Sequence, residues 1–361
     1  MAFAIVSNAI KLEMLARDNA DEVDRALILA LAVYRSWLRQ LPSGSIEREI
    51  EYRRLKRRFP TLLQGAGQQF GATLNQALIN EVRPQLEWAE NWINRSQLSV
   101  AQQQASRLTA DAMPPRPAIP GTVEVPSLPR LRSLRDVPRA NPAAFQFTQQ
   151  QVAQIASSAQ VVGRSVRRLF AEVKGQSPWM RDVMRLVDQT VRRGFMTGQT
   201  MDQVAEQMPS IARQLSARNR AITRTALQDM AQRAHDELWQ AQEPAATKPL
   251  HRWRYDATLD ARTCMICLPW HGRVVTQRTR LPRTPQHPSC RCVIVPLAQG
   301  LSSTGPTAGE FLANASDETR RSVMGVNNAN RFNTLIAGGL GPDDALRDVV
   351  RHPYRRPRRS T

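Results

Sequence analysis

The sequence predicts a mainly α chain with a small β module, an α+β arrangement in which a helical bundle carries a small Cys-rich three-stranded sheet. Three observations predict it. Apolar residues recur at helical spacing through residues 8–111 and 147–240. A Pro-rich stretch separates these two regions. All four cysteines of the 361 residues fall within Trp253–Pro296, whose flanks alternate apolar and polar residues as strands do.

Residues 1–111 form a helical N-terminal region. Leu12, Leu15, Val23, Leu27, Leu31, Tyr34 and Leu38 fall near helical spacing, and Leu41-Pro42-Ser43-Gly44 ends that stretch. Ser45 caps a second helix with Glu47 and Glu49 in its first turn, and Arg53, Arg54, Lys56, Arg57 and Arg58 form a basic cluster ahead of Pro60. That cluster reads as a solvated face or as a contact with nucleic acid or a partner. A further helical run covers Leu62–Gln104, with Gly65 and Gly67 weakening its start and Pro84 bending it. Trp88 and Trp92, one turn apart, read as packing on a neighbour. Residues 112–146 form a Pro/Arg-rich extended linker, because repeated Pro forbids helix and favours polyproline II.

Residues 147–297 form the next unit. Phe147–Phe170 reads as helix, Ser177-Pro178 opens another that runs to Arg193, and Gly194 and Gly198 bracket a turn. Thr200 caps a short helix with Gln203 at the capping-box position, and Ser216 starts a long Arg-rich helix leading to Trp239. Strands are expected at Trp253–Thr258, at Arg273–Thr276 after Gly272, and at Cys292–Val295, stopped by Pro296. A loop at 298–306, a helical segment at 307–348 and a basic, disordered-looking tail at 349–361 complete the chain. The tail gathers Arg351, Arg355, Arg356, Arg358 and Arg359, which suit phosphate contacts or solubility.

The chemistry-bearing residues are Cys264 and Cys267 as C-x-x-C, Cys290 and Cys292 as C-R-C, and His287 three positions before Cys290. Soft ligands delivered as two close pairs suit tetrahedral zinc, with His287 able to replace one sulfur of the shorter second pair. Two disulfides or packed free thiols are the alternatives. A Met1 end without the basic region and cleavage site of a signal peptide points to a reducing compartment and against disulfides. A catalytic thiol needs a base and an orienting group, and four clustered cysteines look more like ligands than a lone nucleophile.

These residues carry a resemblance. Asp260-Ala261-Arg262-Thr263-Cys264, Cys267, Gly272 and His287-Pro288-Ser289-Cys290-Arg291-Cys292 are similar to the C-terminal signature of phage head morphogenesis proteins, the Mu F-like minor head proteins of tailed phages. Upstream, Gly194–Thr200 is similar to the family's G-x-x-x-G-x-[ST] turn, and Arg218–Leu238 to its R-x-x-x-I-x-R-T-E helix, with Ala226 where the family has Glu. The resemblance covers 160–297, with a weaker echo near 307–346. It implies a non-enzymatic minor capsid protein inside the virion near the portal, present in host cytoplasm during assembly, acting in head assembly and genome packaging or ejection. Partners would be the portal, major capsid or scaffold protein, and phage double-stranded DNA. Asp260, Arg262, Gly272, Pro288 and Arg291 would shape the cysteine module, Asp260 and Arg262 by satisfying turn amides or pairing with one another.

Net charge constrains the remaining readings. Fifty Lys and Arg against 31 Asp and Glu give +19, with only four of those cations Lys, so a polyanionic neighbour is favoured. No apolar run approaches a membrane span, and no P-loop, G-x-S-x-G or H-E-x-x-H occurs. A zinc-supported HNH-like nuclease would need further ligands, for which only His251, His271 and Asp256 lie nearby. A general DNA-binding protein would suit the charge equally.

Overall fold

A computed structural model describes residues 2–42, 45–111, 147–161, 163–171, 176–242, 252–297 and 305–351. The expected Pro/Arg-rich linker, His251, most of the 298–306 loop and Arg355, Arg356, Arg358 and Arg359 lie outside them. The chain is mainly α with a small β module, as the sequence predicts.

Two long helices open the fold, α1 (Ala2–Arg39) and α2 (Ser45–Asp111). The second is continuous, where the sequence suggested a break near Pro60. Each interior Pro costs about 3 kcal/mol. The buried row Tyr52, Leu55, Phe59, Leu63, Ala66, Phe70, Leu74, Leu78 and Val82 offsets that cost by packing on both sides of Pro60. Gly67, read as a weak point, instead makes room for a neighbour: a Cβ there would stand 3.2 Å from the Trp179 ring.

The stretch read as one helix over Phe147–Phe170 is broken. It forms α3 (Gln149–Ser157), a small hairpin of β1 (Gln160–Val161) and β2 (Arg164–Ser165), and α4 (Val166–Phe170). Gly163 sits in the hairpin at φ +75°, the left-handed conformation that ends helical periodicity there. Next come α5 (Pro178–Met196), capped by Ser177, and α6 (Met201–Ala205), whose Thr200–Gln203 capping box forms as expected. Gly194 lies where a Cβ would meet Val204 Cγ2 at 2.3 Å, so only glycine permits this approach of α5 to α6.

The long helix α7 (Met208–Gln242) starts eight residues before the expected Ser216. Pro209 sits in its first turn, where a missing N–H costs nothing. Helix α7 packs against both α1 and α2, and this trio forms the main core. Trp88 stacks on Trp92 and, at 4.6 Å, on His235; Trp239 then bridges His235 to Trp253.

The β module is an antiparallel sheet in the order β4-β3-β5, with β3 (Arg252–Asp256), β4 (Val274–Val275) and β5 (Val293–Leu297). The expected alternation on β3 is only half right. Arg254 and Asp256 are buried as well, paired with each other at 2.7 Å. Pro296 lies inside β5 rather than ending it, which an edge strand tolerates because the missing N–H faces away from its partner.

That outer edge of β5 is covered by helix side chains. Gln232 Nε2 donates to the Ile294 carbonyl and its Oε1 accepts the Ile294 N–H at 2.9 Å. Gln228 donates to the Cys292 carbonyl, and Trp92 Nε1 to that of Pro296. Two glutamines one turn apart thus stand in for a fourth strand.

The C-terminal segment folds as α8 (Ala308–Asn314), α9 (Asp317–Met324), α10 (Val326–Ala337) and α11 (Pro342–Arg351) around Leu312, Phe332, Leu346 and Val349. Helix α11 therefore takes in Val349–Arg351, which the sequence placed in the basic tail.

Two predictions follow from this packing. Replacing Gln232 with Leu strands the Ile294 amide and carbonyl in the core and should cost about 2–4 kcal/mol in chemical denaturation; exposed Gln214→Leu should cost almost nothing. The second concerns His235, fully buried, whose pKa burial pushes down to about 3. Unfolded, the imidazole binds a proton near its ordinary 6.5, so between these pH values the unfolded state holds more protons. Stability should therefore fall as pH drops below about 6.5, by up to about 1.4 kcal/mol per pH unit from this residue. In His235→Phe that part of the acid slope should vanish from melts at pH 5 and 7.5.

Candidate metal centre

The donors are brought together by two tight turns at the end of the sheet that faces the C-terminal helices. After β3, Asp260 Oδ1 accepts the Arg262 N–H, and the Asp260 N–H donates to Thr263 Oγ1. The chain then coils so that the Cys264 carbonyl accepts from both Cys267 and Leu268, aiming the two sulfurs of C-x-x-C one way. Gly272, at φ +74°, turns the chain back so that its N–H donates to Tyr255 and β4 pairs with β3.

The second turn is built by His287-Pro288-Ser289-Cys290. The Cys290 N–H donates to the His287 carbonyl, Pro288 fixes the first inner position, and Ser289 takes φ +62° at the second, a type II arrangement. Thr225 on α7 accepts the Ser289 N–H at 2.9 Å and pins the turn to the helix.

The four cysteines are unbridged, so neither of the two disulfides considered from sequence forms. Their sulfurs and His287 make two overlapping triads, Cys264–Cys267–His287 and Cys267–Cys290–Cys292. Within each triad all donor atoms lie within 4.8 Å of one another. Cys267 belongs to both. His287 Nδ1 donates to the Pro288 carbonyl at 2.8 Å, which leaves Nε2 facing Cys264 at 2.9 Å and Cys267 at 3.3 Å. Fixing one ring nitrogen so that the other presents its lone pair is the usual arrangement for a metal-binding histidine.

The spacing fits zinc. Two sulfurs each about 2.3 Å from one tetrahedral ion stand about 3.8 Å apart. Cys267 and Cys290 stand at 3.8 Å. The two triads offer five donors in all, and an ion beside Cys267 could draw on either.

Electrostatics favours a cation at this point. Hydrogen bonding from Cys267 holds the Cys264 thiol down to about 5. Contacts with Cys267 and Cys292 hold Cys290 far below the ordinary thiol range, while Cys264, Cys290 and Cys292 push Cys267 far above it. His287 is raised to about 9, chiefly by its hydrogen bond with Cys290. Sulfurs this close cannot all ionise unless a positive charge sits among them, and a bound metal replaces those protons.

Beyond the donors, Arg291 grips Asp260 with two bonds of 2.6 Å. Burial alone would raise the Asp260 carboxyl, but hydrogen bonds from Arg291 and the Arg262 amide hold it below its ordinary value. Arg262 points elsewhere, to Glu13 on α1 at 2.7 and 3.1 Å, and only brushes Asp260 at 4.0 Å. Both roles expected for Asp260 and Arg262 occur, the turn-amide bond at 2.8 Å and the side-chain pair only at 4.0 Å.

Of the residues considered for a nuclease, the two that are described, Asp256 and His271, are committed elsewhere. Asp256 accepts from Arg254 Nε and Nη2, and His271 Nδ1 accepts the Ala257 N–H while Nε2 meets the Pro306 carbonyl. The basic cluster on α2 is partly self-neutralised: Arg53 pairs with Glu49, Arg54 with Glu51, and Arg58 lies over the Trp37 ring, leaving exposed Arg57. Arg351 is the exposed last residue of α11. None of these joins the cysteine cluster.

Sequence reading missed the supports on α7. Thr225, Gln228, Asp229 and Gln232 are all buried, and each bonds the module or the β1 hairpin. The available signal was a run of polar residues on a helix face that core packing should have made apolar.

Asp260→Ala should leave the half-buried Arg291 guanidinium without its partner and cost about 1–3 kcal/mol in thermal or urea melts. Arg262→Ala, which breaks a pair lying mostly in solvent, should cost less than about 1 kcal/mol.

Residues 185–295 match a family model described as Phage Mu protein F like protein. No curated protein and no solved structure matches the chain.

Proposed function

Taking the Mu F-like phage head morphogenesis segment at residues 185–295 as premise, we propose that this chain is a minor capsid protein of a tailed phage whose cysteine cluster holds one structural zinc ion. Its role is in head assembly and in genome packaging or ejection. It lies inside the capsid near the portal, after assembly in the host cytoplasm. Its partners are the portal, scaffold or major capsid protein, and phage double-stranded DNA. Arg57, Arg351 and the arginines that follow Arg351 are candidate contacts. Among the described residues no helix is long and apolar enough to cross a membrane.

One observation carries the structural reading over an enzymatic one: donors from both cysteine turns meet at Cys267, which belongs to both triads. A catalytic zinc keeps a coordination position open for water or substrate, with three protein ligands. An ion held at Cys267 by donors of both turns would tie the two chain segments together, as a structural ion does. Asp260, Gly272, Pro288 and Arg291 shape the two turns, and Arg262 links them to α1.

Purified protein should contain about one zinc per chain by elemental analysis, as expected for a single tetrahedral site. Cys267→Ser, which removes the donor common to both triads, should abolish it, and chelation should lower the melting temperature. Incubation with DNA and divalent ions should yield no cleavage. Cleavage that disappears in His271→Ala would replace this reading with the zinc-supported nuclease. Protein composition of purified virions tests the capsid location directly.

A further inference from the structure

The outer side of the α1–α7 contact opens into a cleft of about 430 Å³ that includes no metal-site donor. Four arginines line it: Arg17 from α1, Arg220 and Arg224 from α7, and Arg262 from the turn before Cys264. One carboxylate, Glu13, faces them, and the exposed apolar residues Ile10 and Met14 complete the lining.

Glu13 cannot neutralise this group. It is shared between Arg224 at 3.3 Å and Arg262 at 2.7 Å, and it is held below its ordinary pKa chiefly by the Arg262 hydrogen bond. Arg224 retains a buried Nε with no acceptor. Arg220 reaches Asp21 at 3.2 Å in a pair half open to solvent, which binds weakly. Nearby Asp24 is buried, accepts from Asn219 and stands 3.9 Å from Arg220, a long pair. Arg17 is exposed and forms no ion pair among the described residues.

The positive surface continues along α7. Arg213, Arg220 and Arg224 are spaced seven and four residues apart, so they fall on one helix face. Exposed Arg213 also forms no ion pair among the described residues. From Arg213 to Arg224 the helix rises about 16 Å. A DNA strand presents one phosphate per about 3.4 Å of axis, so the ladder runs alongside several phosphates.

We propose that this cleft and the adjoining arginine ladder bind the phosphate backbone of double-stranded DNA. The lining contains no aromatic residue, and its two apolar side chains, Ile10 and Met14, are outnumbered by four arginines. It presents instead a line of planar, permanently charged groups suited to phosphate whatever the base sequence. The inference sharpens the DNA contact of the head-protein reading by giving it a surface. If it fails, the zinc site and the capsid location still stand.

The test is fluorescence anisotropy of full-length, zinc-loaded protein on a labelled 30-base-pair duplex across a salt series. The triple variant Arg17→Gln/Arg213→Gln/Arg220→Gln spares both arginines bound to Glu13. It should weaken binding about tenfold at 0.15 M salt and reduce the log–log salt slope by about 2–3, as expected for three lost phosphate contacts. Should the triple variant melt below the parent, Arg213→Gln alone has no partner to lose and should reduce the slope by about 1. Control substitution by Gln of Arg185, Arg321 and Arg347, exposed arginines that each pair with an Asp on their own helix, should change the affinity less than twofold. The proposal is overturned if the parent does not bind the duplex, or if the triple variant leaves affinity and slope unchanged. It is equally overturned if the control lowers both as much, or if polyglutamate displaces the duplex at equal charge, which would assign the cleft to an acidic protein.

Discussion

Everything at the C-terminal end of the bundle depends on where Cys267 is held. Its sulfur is the one donor common to both ligand triads, and its backbone closes the turn that starts at Cys264. The next residue, Leu268, is fully buried in the second core, among Leu312, Phe332 and Leu346 of the C-terminal helices. Two adjacent residues therefore belong to two different cores. The sheet between them has one strand of two residues and two of five, too little apolar surface to fix that junction alone. An ion held among the sulfurs would supply that constraint, since thiols crowded this closely need a positive charge among them to ionise together.

Helix α7 supplies the other half of the restraint. Its buried face is unusually polar, and four of its seven buried polar residues bond a backbone atom of another segment. Gln228 and Gln232 complete the edge of β5, Thr225 holds the Ser289 turn, and Asp229 accepts the Gln160 N–H while pairing with Arg283. Such bonds add little net stability each, but leaving any of them unmade is expensive. The cost of misplacement, more than the gain from contact, fixes the module on the helix in one register. Ala226 is fully buried in the middle of this face.

Much of this was legible in the sequence. Helical spacing located α1, α2 and α5, and the Thr200–Gln203 box formed where its spacing put it, because a cap is a local interaction. The donors were legible for the same reason: C-x-x-C and H-P-S-C are each closed by hydrogen bonds within their own turn. Misreadings came where distant residues decide. Pro60 looked like a helix end, but packing against partners far along the chain outweighs its local cost. Phe147–Phe170 looked like one amphipathic helix because Val161 and Val166 keep the apolar spacing, while Gly163 at positive φ turns the chain between them. Pro296 looked like a strand terminator because nothing nearby reveals that β5 is an edge whose outer carbonyls are taken by Gln228, Gln232 and Trp92.

The same distinction bears on what the module can do. Groups able to activate a water must be positioned and also left free to exchange protons with something outside the fold. Around the cysteine cluster the positioned groups are not free. Asp260 is filled by Arg291 and the Arg262 amide, Asp256 by Arg254, and His271 uses both ring nitrogens, one on Ala257 and one on the link to the C-terminal helices. Arg262 reaches back to Glu13 on α1, and Ser322 on α9 donates to Ala261 in the same turn. One short turn thus touches the first helix of the chain and the C-terminal helices, through bonds that would each be lost if it moved. A turn wired in this way fixes the positions of the first helix and the C-terminal helices relative to the cysteine cluster.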